Sequence, residues 1–167
     1  SSIDTINSLI TKHAEGEPES IVIEGLARLP LSYKELEEQI DYTRDFFQKY
    51  EIQPQDRVAV VLNNGPEMAT CFLAVSSSAA CAPLNPRYKE EEYDFFLTDL
   101  EPSALIVEAG IQDLAIDVAK KLGIKIFHLT PDKEKAGAYT LSYDGNIYLK
   151  KRLVTRSYHI ALILHTS

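Results

Sequence analysis

The chain has 167 residues, 25 acidic against 17 basic side chains, a net charge of -8, 45% hydrophobic content and 25% charged content. That length suits about one globular domain, able to bury roughly 70% of its unfolded surface. The negative balance argues against general binding to a nucleic-acid polyanion, and no apolar run reaches the roughly 20 residues that span a bilayer.

In chain order, Ser2 or Asp4 is placed to cap a first helix in which Ile6, Leu9, Ile10 and His13 recur at helical spacing, ended by Glu15-Gly16-Glu17-Pro18. Ser20 to Glu24 is strand-like and Gly25 begins a turn. Ser32 with Glu35 predicts a capping box for a helix running to about Lys49, with Leu36, Ile40 and Phe47 as its buried stripe. Arg57 to Leu62 is a strand of β-branched residues, followed by the turn Asn63-Asn64-Gly65-Pro66. Pro66 fits the first position of the next helix, whose expected apolar face is Met68, Phe72, Val75 and Ala79.

Cys81 to Leu84 predicts a short strand closed by Asn85-Pro86. Glu90, Glu91 and Glu92 load the start of a helix with negative charge, favourable at the N-terminal end of its dipole, and Tyr93, Phe96, Leu97 and Leu100 form its apolar face. Ala104 to Val107 is the next strand, then a helix from about Ile111 to Leu122 stopped by Gly123, then a strand from Lys125 to Leu129. Tyr139 to Tyr143 and Asn146 to Leu149 flank Asp144-Gly145, a strong two-residue hairpin signal. The hairpin leads to a final strand, Ile160 to Leu164. Strand–helix alternation over residues 57–129 implies right-handed crossovers. The fold class is α/β, a partial doubly wound and mostly parallel sheet with flanking helices, plus a β-hairpin near residues 139–149.

Candidate chemistry is sparse along most of the chain. Four histidines, His13, His128, His159 and His165, share no metal-ligand spacing, and no Gly-x-Ser-x-Gly elbow, Walker A or Gly-x-Gly-x-x-Gly fingerprint occurs. Cys71 and Cys81 sit in apolar surroundings outside any Cys-x-x-Cys pattern. Buried, reduced and inert is the natural reading, which suits an intracellular compartment, cytoplasmic or organellar. No signal-peptide pattern opens the chain, and a targeting signal could lie outside the segment. The basic stretch Lys150-Lys151-Arg152 with Arg156 reads as the solvated face of a hairpin or loop.

The end of the chain differs. Ile160-Ala161-Leu162-Ile163-Leu164 flows through His165 into two adjacent hydroxyls, Thr166 and Ser167. Small hydroxylated residues just past a buried strand commonly start a loop whose backbone N–H groups and hydroxyls meet phosphate oxygens. Alone, the same residues also describe a strand fraying into solvent.

The run resembles the start of the adenylate-forming motif Thr-Ser-Gly-Thr-Thr-Gly-x-Pro-Lys-Gly, of which Thr166 and Ser167 are present. Leu31-Ser32-Tyr33-Lys34-Glu35-Leu36 resembles the first core motif of the same enzymes, which include acyl-CoA synthetases, luciferases and peptide-synthetase adenylation domains. Asp56-Arg57-Val58-Ala59, Phe72-Leu73-Ala74-Val75 and Pro83-Leu84-Asn85-Pro86 follow in the family's order and at close to its spacing. The stretch with Ser76-Ser77-Ser78 looks about one residue short, which leaves side-chain directions near Cys81 open. "LHTS" and the stretch through Tyr88 are similar to the oxalate–CoA ligase branch.

The resemblance implies that residues 1–167 are the front portion of a large N-terminal adenylation domain, with the rest of that domain and a C-terminal lid beyond it. It implies ATP, Mg²⁺ and coenzyme A as cofactors, and a carboxylic acid substrate, oxalate or another acyl acid. It places Thr166 and Ser167 on nucleotide phosphate, gives His165 a possible place on a pocket wall, and puts no catalytic residue or metal ligand within the segment. His165 equally reads as the end of a strand. The alternative is a stand-alone α/β binding or interaction domain without catalysis, and a reading frame continuing with Gly-Thr-Thr-x-x-x-Pro-Lys separates the two. Without the cationic and metal-binding groups that lie beyond Ser167 in family members, the isolated chain is expected to be catalytically silent. With Ile160 to Leu164 left without later parts of an enzyme packed on it, the chain is expected to self-associate, or to rearrange after about Tyr139.

Overall fold

The computed structural model describes the backbone of residues 21–25 and the whole of residues 28–150. The expected first helix and the expected final strand lie outside the described residues.

The order of elements is β1 (Ile21–Gly25), β2 (Arg28–Ser32), α1 (Tyr33–Lys49), β3 (Arg57–Val61), α2 (Pro66–Ser76), β4 (Ala80–Pro83), α3 (Glu90–Leu100), β5 (Ala104–Glu108), α4 (Leu114–Leu122), β6 (Lys125–Pro131), β7 (Tyr139–Tyr143) and β8 (Asn146–Ile147). β1 and β2 pair antiparallel as a separate ribbon. The main sheet has the order β4-β3-β5-β6-β7-β8. Its first four strands run parallel, and β7 and β8 are antiparallel additions.

Strand alternation sorts side chains onto two faces. Val58, Val60, Ala104 and Ile106 meet Phe46 and Phe47 of α1 and Cys71 and Val75 of α2. Ala59, Val61, Leu105 and Val107 meet Tyr93 and Leu97 of α3 and Ala115, Val118 and Ala119 of α4. Because both faces of β3 and β5 are covered, their sequences read as near-continuous apolar runs rather than alternating ones. A third cluster, Leu31, Leu36, Ile40 and Ala74, seats the β2–α1 corner on α2. The doubly wound reading is therefore realised in three layers, helix–sheet–helix.

Local signals set most boundaries. The Ser32 hydroxyl accepts the Glu35 N–H at 3.2 Å, and the Glu35 carboxylate accepts the Ser32 N–H at 3.3 Å, completing the capping box. Pro66 occupies the first turn of α2. Gly123 ends α4 with φ +71°, a conformation that costs a side-chain-bearing residue and not glycine.

Four expectations are corrected. First, α4 starts at Leu114 rather than Ile111, because the Asp113 side chain caps it by accepting the Ala115 N–H at 2.8 Å. Second, the buried arc of α2 is Thr70, Cys71, Ala74 and Val75, while Phe72 is 41% exposed and Met68 only partly buried. α2 is wedged between the sheet and the α1 corner, so its covered arc is rotated toward Ala74. Third, β8 ends at Ile147 rather than Leu149, because the Tyr42 hydroxyl of α1 stands in the ladder at its next step. Fourth, Cys81 is only partly buried; it lies opposite Val58 and packs on the α1–α2 side of the sheet. β2, between Gly25 and the α1 cap, is a strand that the sequence reading did not separate from a turn.

Ion pairs tie the two sheets together. Arg28 of β2 reaches Glu67 of α2 at 2.9 Å, and the same carboxylate accepts the Gly137 N–H at 2.7 Å. Lys135 pairs with Glu35 at 3.0 Å. The loop between β6 and β7 is thereby held against β2, α1 and α2.

Candidate functional site

The connection from β3 goes outward to β4, and the next one returns across β3 to place β5 on its other side. The winding thus reverses between β3 and β5. In an open parallel sheet this reversal splays the loops at the carboxyl ends of the two strands and leaves a crevice there. Such a crevice is present, with a volume of about 220 Å³. Val61, Leu62 and Asn63 follow β3, Val107 and Glu108 end β5, and Pro86, Ile111, Gln112 and Asp113 complete the wall.

Its chemistry is that of acceptors and amides. Asp113 is already engaged in capping α4. Asn63, Glu108 and Gln112 remain on the rim, with the half-exposed Ile111 as an apolar lip. No lysine or arginine lines the crevice, so it offers hydrogen-bond acceptors to hydroxyl or amide donors and no cation to a phosphate. A larger groove of about 640 Å³ runs between α1 and β7, lined by Leu31, Tyr42, Ala138 and Tyr139 with Glu35, Glu38 and Asp41 at its edge. The crevice is the stronger candidate for substrate contact, because the chain topology creates it; the groove is a consequence of how α1 meets the sheet edge.

The cysteines carry no reactivity. Burial pushes the Cys71 thiol well above its usual range, a nearby Cys81 adds to the effect, and a hydrogen bond from Tyr139 opposes it. Burial likewise raises Cys81 to about 12. Both are free thiols. At neutral pH neither supplies the thiolate that nucleophilic or redox chemistry requires.

Among the described residues no group of three or more His, Cys, Asp or Glu side chains could hold a metal ion. No helix among them is long and apolar enough to cross a membrane. Thr166, Ser167 and His165, the residues singled out in the sequence, lie outside the described residues. Conversely, the crevice has no local signature in the sequence, because Asn63, Pro86, Glu108 and Gln112 are brought together only by the crossovers.

The profile of the family described as "AMP-binding enzyme" matches residues 10–167. The chain belongs to the AMP-binding enzyme family. Among its relatives, it is 35% identical over 122 residues to the oxalate–CoA ligase of Saccharomyces cerevisiae, covering 68% of this chain and 22% of that protein. It is 31% identical over 170 aligned positions to the oxalate–CoA ligase of Arabidopsis thaliana, covering 98% of this chain and 33% of that protein. The fold matches the ATP-bound MatB structure from Rhodopseudomonas palustris with a TM-score of 0.66 and 26% identity, over 80% of this chain and 26% of that one. This AMP-binding family chain therefore spans between a fifth and a third of the length of these relatives.

Proposed function

We propose that this chain is the front portion of the adenylation domain of an ATP-dependent acid–CoA ligase. The observation that carries the reading is the family match over residues 10–167, joined to CoA ligases as relatives at 31–35% identity. In that reaction a carboxylate oxygen attacks the α-phosphorus of ATP. The bond to the β-phosphate oxygen breaks, pyrophosphate leaves, and an acyl-adenylate remains. The sulfur of coenzyme A then attacks the acyl carbon, the carbonyl–oxygen bond to AMP breaks, and the thioester and AMP are released.

Thr166 and Ser167 hold phosphate oxygens through hydroxyl and backbone N–H donors, and His165 stands at the pocket wall. Oxalate or another acyl acid is the proposed substrate, and two oxalate–CoA ligases among the relatives support the first. The Mg²⁺ that the family implies would be held by an acidic residue beyond Ser167, where it would neutralise phosphate charge.

The test is Ser167→Ala in the full-length ligase. Losing one charge-assisted hydrogen bond of about 1.5–3 kcal/mol slows the ATP half-reaction roughly 10- to 100-fold. Thioester formation from preformed acyl-adenylate is unaffected, because pyrophosphate has already left. Equal rates of acid-dependent pyrophosphate exchange for the mutant and the wild type would remove Ser167 from the site.

A further inference from the structure

The register of the β7–β8 hairpin pairs Tyr143 with Asn146 and Ser142 with Ile147, so Leu141 and Tyr148 come next. An antiparallel pair at that position exchanges two hydrogen bonds. One is present, from the Tyr148 N–H to the Leu141 carbonyl at 2.9 Å. The other is replaced by a side chain. The Leu141 N–H donates to the Tyr42 hydroxyl at 2.9 Å, and that hydroxyl donates to the Tyr148 carbonyl at 2.8 Å.

The same substitution recurs one bonding position further along β7. There Lys150 would face Tyr139 in a longer hairpin, but the Tyr139 N–H donates to Gln39 Oε1 at 2.9 Å. Two side chains spaced along one face of α1 thus take the backbone donors that the 141/148 and 139/150 pairs of a longer hairpin would use. The departing chain is held in its new course. The Tyr148 ring lies 5.3 Å from Tyr42 and 5.9 Å from Phe46, and Lys150 pairs with Asp45 of α1 at 3.1 Å.

The hydroxyl is suited to this task because it accepts and donates at once, leaving neither backbone group unsatisfied. A phenylalanine ring in its place would leave the Leu141 N–H and the Tyr148 carbonyl facing each other with nothing between them. Their cheapest repair is to bond directly, which zips the hairpin and redirects the chain along the sheet.

We infer that Tyr42 and Gln39 are positioning residues: they hold the β7–β8 hairpin open and turn residues 148–150 onto α1, the course from which the chain continues in sequence to Thr166 and Ser167. The functional half of this inference rests on the phosphate-contacting role proposed for those two hydroxyls. The structural half does not.

The experiment compares wild type with Tyr42→Phe and Tyr42→Phe/Gln39→Leu. In the 167-residue chain, amide exchange at Lys150 slows roughly tenfold in the double variant, the protection expected of one added backbone hydrogen bond, while the Leu141 amide stays protected. In the full-length ligase, acid-dependent pyrophosphate exchange falls several-fold in the same variants, with thioester transfer from preformed acyl-adenylate retained. That split distinguishes positioning from general loss of structure, which would depress both half-reactions. Unchanged Lys150 exchange overturns the wedge, and a zipped hairpin with undiminished pyrophosphate exchange overturns its positioning role. If the double variant does not fold, Tyr42→Phe alone, which keeps the packed ring, is read at the Leu141 amide: it stays protected if the pair closes onto the Tyr148 carbonyl, and faster exchange there overturns the wedge. Ser167→Ala is scored separately: its failure removes the phosphate reading and leaves the Lys150 result to decide the wedge.

Discussion

At the scale of single residues, the side chains that end elements also couple them. Ser32 caps α1, and the Glu35 carboxylate that completes its capping box also binds Lys135 across the loop between β6 and β7. Lys135 and the Ser32 donors hold the Glu35 carboxyl below its ordinary range against a burial effect that works the other way. Replacing Ser32 by alanine removes the acceptor for the Glu35 N–H and should cost about 1 kcal/mol of stability, the usual magnitude for a helix cap. Urea unfolding of Ser32→Ala and Ser32→Thr checks it. Threonine should restore most of the loss, and an alanine variant as stable as wild type would show that the helix N-terminus is held by packing on Leu31 and Leu36 instead. The cap was legible in the sequence, since Ser-x-x-Glu before an apolar run is a local signal. The Lys135 contact was not, because its partner lies 100 residues away.

At the scale of elements, legibility follows how many neighbours an element has. β3 and β5 were readable because a strand covered on both faces is simply apolar throughout, and α1 because its stripe of Leu36, Ile40 and Phe47 is large and apolar both against α2 and against the sheet. α2 was misread by about one residue around its axis: its sequence places large apolar groups at Met68 and Phe72, yet the fully buried positions are Thr70, Cys71, Ala74 and Val75. Helix-on-helix packing against α1 decides this, and small residues such as Ala74 are what let two helices approach. Periodicity weighs large side chains and overlooks them. Enlarging the contact should therefore be far worse than trimming the exposed ring. Ala74→Leu should lose about 1–3 kcal/mol through overpacking, whereas Phe72→Ala should stay within roughly 1 kcal/mol of wild type. Paired thermal melts decide the matter; a larger loss for Phe72→Ala would mean that its ring is covered after all. β8 illustrates the other limit. The Asp144-Gly145 turn fixed the hairpin's register, but its length was set by Tyr42 and Gln39, which no local pattern announces.

At the scale of the whole molecule, the core on the α1–α2 side of the sheet concentrates acidic protons in a dry environment. Burial raises Tyr42 to about 12, and it raises Tyr139 well above its ordinary value, with Cys71 adding to the effect. Cys81 rises to about 12 and Cys71 is pushed up further by the same cause. These groups share partners: Tyr139 hydrogen-bonds Thr43 at 2.7 Å, and Tyr42 holds the end of the hairpin. The sign of the linkage follows from which state keeps its protons. Between the unfolded values near 9 for the thiols and 10 for the tyrosines and the raised folded values, the native state binds more protons than the unfolded one. Stability from these groups is complete below about pH 9 and is lost as pH rises toward the folded values. Urea denaturation of the chain at pH 7, 9 and 10.5 should give a midpoint that is flat to about pH 9 and then falls steeply, and the part of the tyrosinate absorbance that Tyr42→Phe and Tyr139→Phe remove should appear together with unfolding rather than before it. Cys71→Ala should shallow the alkaline slope, because one raised group is removed while its small side chain is kept. If that part of the absorbance runs ahead of unfolding, water reaches Tyr42 and Tyr139 in the native state, and the groove between α1 and β7 is deeper than its walls indicate.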